Sequence, residues 1–152
     1  MRKLFLASLA LTTFAAALLL FQMSSCKKAE AQNNGCPPEV YSVKGLWEGT
    51  YTIDSEPGLG SQYWNLTIKE DGTMVNETQY TGTQHFNVGT WTMSGDTLIC
   101  DFTAVYGLPQ HIGISERATA IFDASEGTLT FGRWENTPGA TGAGSFVVTK
   151  TE

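Results

Sequence analysis

From about Val40 onward no stretch of this chain carries a convincing 3.6-residue period. The sequence breaks instead into eight short runs bounded by turn residues, at roughly 42–54, 61–70, 73–80, 84–93, 97–106, 111–122, 128–135 and 144–151. Such a pattern admits little besides an all-β fold. The clearest run is Val43 to Asp54, VKGLWEGTYTID, with Trp47, Tyr51 and Ile53 on one parity and Glu48, Thr50 and Thr52 on the other. Its Gly-x-Trp opening returns as Gly89-Thr90-Trp91 and Gly132-Arg133-Trp134.

The links between runs alternate in character. Asp71-Gly72, Ser94 to Asp96 and Asp123 to Gly127 are compact, and Asp-Gly is a strong hairpin signal. Ser55 to Gly60, Thr81 to Thr83, Gly107 to Gln110 and Asn136 to Ala143 are looser and richer in Gly and Pro. Successive links of a meander lie at opposite ends, so one end is closed by tight turns and the other is rimmed by loops. A two-sheet sandwich would have to protect two edges, whereas an up-and-down barrel closes by pairing the eighth strand with the first. The expected fold is an eight-stranded antiparallel up-and-down β-barrel over residues 41–152.

Residues 1–25 have the three parts of a secretory leader: Arg2 and Lys3, an apolar run to Phe21, then Ser24 and Ser25. Read as a spanning helix, the run would need about 20 apolar residues, and it is interrupted by Ser8, Thr12 and Thr13. Met23-Ser24-Ser25-Cys26 resembles the lipobox of bacterial lipoproteins, with Met23 where Leu is usual. The resemblance implies that Cys26 is acylated by chains such as palmitate and becomes the mature N-terminus. Lys27 and Lys28 follow, where inner-membrane retention would use Asp, so the resemblance implies the outer membrane, face unspecified. Residues 26–40, polar and then stiffened by Pro37-Pro38, read as a tether.

The chain carries a net charge of −6, which becomes more negative once Arg2 and Lys3 leave with the leader. Nucleic acid is therefore an improbable partner. Cys36 and Cys100 remain in a compartment that permits disulfides; either they are bridged, or Cys100 is a small core residue.

Gly45-Leu46-Trp47 before an eight-strand meander, the GTW and GTLT phrases and the ending GAGSFVVTK are similar to lipocalin-like (calycin) barrels, with streptavidin-type barrels sharing the general look. The resemblance implies that Trp47 closes one end of the barrel and that a basic residue of the last strand, here Lys150, covers its ring. Trp91 and Met93 fall at the same end.

The opposite end gathers Tyr63, Trp64, Tyr80, His85, Phe86, Tyr106, His111 and Trp134. Aromatic rings with polar tips suit a ligand that is apolar along its body and polar at one end. Tyr63, Trp64, Tyr80, Phe86, Tyr106, His111 and Trp134 are the expected contacts. An eight-stranded lumen can also be filled completely, and Trp47, Tyr51, Leu66, Ile68, Leu98, Phe102, Ile114, Phe122, Phe131 and Phe146 are candidates to fill it. His85 and His111 could converge, but two imidazoles without a third ligand make a poor metal site. Glu116 and Arg133 share their parity with Ile114 and Phe131, and inside a barrel they would pair or be solvated. No nucleophile–base–orienter trio and no phosphate loop is present. The expectation is a non-catalytic barrel without a cofactor that binds a small, largely apolar ligand. The alternative is an envelope protein that binds or inhibits another protein.

Overall fold

The computed structural model describes residues 40–138 and 140–151; the leader, Cys26, Cys36 and the tether to residue 39 lie outside the described residues. Eight strands follow in chain order: β1 (Gly45–Ile53), β2 (Gln62–Ile68), β3 (Thr73–Tyr80), β4 (Thr83–Ser94), β5 (Thr97–Tyr106), β6 (Ser115–Asp123), β7 (Thr128–Asn136) and β8 (Ala143–Thr151). Each pairs antiparallel with the next, and β8 returns to β1, which closes the barrel. Across that seam Trp47 faces Lys150, Gly49 faces Val148 and Tyr51 faces Phe146. Every strand is thereby paired on both sides, so no edge is left open.

The tight end is built by turn chemistry legible in the sequence. Asp71 Oδ1 accepts the N–H and hydroxyl of Thr73 at 2.9 and 2.6 Å. Asp123 Oδ1 does the same for Ser125 at 2.8 and 2.6 Å. These side-chain hydrogen bonds, reinforced by the backbone ones, hold both carboxyls below their ordinary pKa. Thr81 and Gly82, expected among the looser links, form a compact two-residue turn with φ of 49° and 82°. Both angles are positive, as the hairpin turn that matches strand twist requires.

The half of the barrel near the tight turns is solid. Trp47 is fully buried, with Leu66, Ile68, Met74, Leu98 and Cys100 packed in the same core. Its indole N–H donates to Val43 O at 2.8 Å, and Lys150 Nζ lies 5.8 Å from the ring centroid while donating to Ser42 O at 2.6 Å. The lead-in to β1 therefore covers the base. Tyr41 N–H donates to Ala124 O at 2.9 Å, so the lead-in is also hydrogen-bonded to the turn between β6 and β7. Trp91 packs against the core, whereas Met93 is exposed. Cys100 is a free thiol, and burial raises its pKa to about 12.

Two mid-strand glycines allow the wall to bend this tightly. A Cβ on Gly49 would stand 1.9 Å from Val147 O, and one on Gly89 2.0 Å from Asp101 O. Close backbone approach, not turn geometry, requires glycine there.

Two irregularities reset which residues face inward. In β7, Phe131 has φ 55° and the register with β6 shifts between Thr119 and Ile121. Leu129 and Trp134 are buried, while Phe131 is 84% exposed. Phe131, expected to fill the lumen, therefore lies on the outer wall. In β5 the register with β4 shifts so that Phe86 pairs with Tyr106 but Asn87 with Ala104. Val105 and Tyr106 consequently both face solvent. Each is a β-bulge, an extra residue that turns the following side chains to the other face.

Candidate functional site

At the loop-rimmed end the lumen is not filled. A cavity of about 240 Å³ opens there, its wall formed by the upper halves of the strands and by the loops after β1, β5 and β7. Parity explains its lining. On β2 the inward set is Trp64, Leu66 and Ile68; on β3 it is Met74, Asn76 and Thr78; on β4 it is His85 and Asn87. Of the expected contacts, Trp64, Tyr80, His111 and Trp134 line the cavity. Tyr63, Phe86 and Tyr106 do not. Tyr63 and Phe86 each adjoin an inward residue, Trp64 and His85, and adjacent residues of a strand face opposite ways. Tyr106 is turned out by the bulge, and its ring meets Phe86 at 5.7 Å, outside the cavity lining.

Aromatic rings form the floor. Trp64 stacks on Phe146 at 5.1 Å and 10°, and Tyr51 meets Trp64 at 5.3 Å and Trp134 at 5.8 Å. Trp134 Nε1 donates to Thr52 O, and the Tyr51 hydroxyl donates to Gln79 O, both at 3.1 Å. Burial first, then the charge of Glu116, drives the Tyr51 pKa upward. The Trp64 indole N–H, by contrast, has no hydrogen-bond partner although the residue is 1% exposed. Leaving a buried donor unpaired costs about 1–3 kcal/mol.

One wall is polar. Asn87 Nδ2 donates to Asn76 Oδ1 at 2.6 Å, and Asn76 Nδ2 donates to Asn65 O at 2.9 Å. Higher up, the two histidines meet. Leu108 N–H donates to His85 Nε2 at 3.2 Å, which makes that nitrogen an acceptor. His85 Nδ1–H then donates to Thr83 O, and His111 donates Nδ1–H to His85 Nε2, each at 3.1 Å. Burial, and secondarily the charge of His111, lowers the His85 pKa, in keeping with a neutral ring. His111 belongs to the loop after β5 and not to a strand, and its ring stacks on His85 at 5.1 Å. Tyr80 packs edge-on to His111 at 5.6 Å and donates its hydroxyl to Glu56 at 3.1 Å.

Glu116 stands on β6 with its side chain toward the cavity, and no hydrogen bond or ion pair to it is found among the described residues. Burial raises its pKa from 4.5 to about 7. Of the two alternatives for Glu116 and Arg133, pairing or solvation, the pairing does not form. The bulge at Phe131 puts Arg133 on the outer face, where it donates to Asp54 Oδ2 at 2.8 Å. Gly132, directly after Phe131, was the available sequence signal for a bulge. Thr78 and Asn87 also line the cavity; sequence reading overlooked both, although Asn87 shares the parity of His85. Among the described residues no group of three or more His, Cys, Asp or Glu is placed to hold a metal ion.

Architecture and site together define an eight-stranded up-and-down β-barrel, solid at one end and hollow at the other, compatible with a lipocalin-like fold. No protein-family model, curated protein or solved structure matches the chain.

Proposed function

We propose that this protein is a non-catalytic, lipid-anchored envelope barrel that binds a small ligand, largely apolar with one polar end, in its loop-rimmed mouth. The observation that carries this reading is the open cavity of about 240 Å³ lined by aromatic and polar side chains. A packed interior seldom leaves a void of this size. The volume holds about eight waters, or an organic molecule of roughly a dozen non-hydrogen atoms. Long acyl chains are too large for it. Acylation at Cys26 would tether the chain to the outer membrane. Because the described chain enters at the base, the mouth would point away from the lipid.

Titration of purified protein with a library of small amphipathic compounds, followed by tryptophan fluorescence, tests the reading, because Trp64 and Trp134 lie in the cavity wall. Saturable quenching that weakens in Trp64→Phe and in Trp134→Phe is the expected result. The absence of any binder at millimolar concentration would remove the proposal. Replacement of Cys26 by Ser should release the protein from the membrane fraction.

A second reading, an envelope protein that docks on another protein, draws on the outer wall, where Phe131 and Val147 are 84% and 71% exposed. A stoichiometric partner captured from envelope extract and lost on Phe131→Ser would favour it.

A further inference from the structure

The cavity has a one-sided electrostatic character. Its lining includes two carboxylates, Glu56 and Glu116, and no Lys or Arg. Glu56 is engaged by the Tyr80 hydroxyl. Glu116 has no such partner, and Arg133, the base nearest to it in the expected pairing, is held outside by Asp54. The floor opposite is a contiguous set of electron-rich rings, Tyr51, Trp64 and Trp134, with centroids 5.3 and 5.8 Å apart.

We infer that the ligand is a small organic cation, an amine or quaternary ammonium, with Glu116 as counter-ion and the Tyr51–Trp64–Trp134 rings as its cage. The inference rests on the cavity being a ligand site. Aromatic faces attract cations, most strongly in desolvated surroundings. An anion would add a third negative charge beside Glu56 and Glu116. An uncharged ligand gains nothing from a charged Glu116 and is compatible with the protonated form.

Proton linkage provides an independent signature. A cation binds the charged form of Glu116, so below pH 7 binding must release the proton that burial keeps on the carboxyl. The titratable groups that share the cavity lining with Glu116 are Tyr51 on β1, Glu56 in the following loop, Tyr80 on β3, His85 on β4 and His111 in the loop after β5. Protonation of His85 on acidification also opposes a cation. All these effects have one sign, and affinity for the cation rises from pH 5.5 to pH 8.

Isothermal titration calorimetry of the full-length protein with acetylcholine and phenethylamine tests the inference. The comparison ligands are the uncharged isostere 3,3-dimethylbutyl acetate and the anion 3-phenylpropionate. Expected results are at least tenfold tighter binding of a cation than of either comparison ligand at pH 8, and a tenfold loss of that affinity at pH 5.5. Glu116→Gln, its folding checked by circular dichroism, should weaken the preference at least fivefold and flatten most of the pH dependence. Equal or tighter binding of the uncharged or anionic probe overturns the cation assignment and leaves the small-molecule reading standing. If no probe binds and the wider library also yields nothing, both fall together.

Discussion

Glu116→Gln should stabilise the barrel above pH 7 and change little near pH 4.5. The wild-type carboxyl moves from 4.5 to about 7 on folding because burial penalises its charged form. Between those values the folded chain holds more proton than the unfolded chain, so stability falls as pH rises through the window. Above it the full cost is present. At 1.36 kcal/mol per pH unit the cost reaches about 3 kcal/mol, or a melting temperature lower by roughly 10 °C for a domain of this size. Glutamine has nearly the same shape and no charge to desolvate, so the variant escapes this slope. His85 contributes the opposite trend: its lowered pKa gives stability that is present above about 6.5 and is lost on acidification. The measurement is therefore the difference between variant and wild type in urea unfolding at pH 4.5, 6 and 8, in which the histidine contribution cancels. A difference near zero at pH 4.5 that grows to about 2–3 kcal/mol at pH 8 is expected. Parallel profiles, or a variant less stable than wild type at pH 8, would refute the assignment of Glu116 as a buried, uncompensated carboxyl.

Trp47→Ala should cost about 3–5 kcal/mol in chemical denaturation, because the ring is fully buried and its N–H is satisfied. Lys150→Met should cost about 1 kcal/mol, through loss of the cation over that ring and of the bond to Ser42. The Cys100 thiol, 1% exposed and raised to about 12, should resist a thiol-specific chromogenic reagent at pH 8 until the barrel is unfolded. Gly89→Ala should destabilise by about 2 kcal/mol or more, because the new methyl meets Asp101 O at 2.0 Å; a neutral effect on the urea midpoint would show that the wall can yield there.

How much of this could be read without coordinates differs by level. Alternation with period two from Val43 to Asp54, Asp-Gly at the β2–β3 turn and regular spacing placed the strands to within a few residues and implied closure. The latest boundary is that of β6, where Leu108 to Ile114 form turns, with His111 N–H donating to Leu108 O at 2.8 Å. Trp47 beneath Lys150 was legible only through the resemblance to calycin barrels, and the β1–β8 pairing sets the two residues opposite each other.

What remained for tertiary structure was the inner face of each strand near the mouth, and hence the site itself. Alternation specifies which residues share a face, not which face is inside, and β2 and β4 offer an aromatic or imidazole ring on both. Bulges at Val105 and Phe131 then shift the phase by one residue, which sends Tyr106 and Arg133 outward and leaves Glu116 without a partner. The volume of the cavity is a small difference between the space enclosed by eight strands and the summed bulk of the side chains that enter it. The meeting of His85 with His111 depends on a loop whose course is set by contacts from distant strands. Local pattern determined the ribbon and its closure, and only the closed ribbon determined what was left empty inside it.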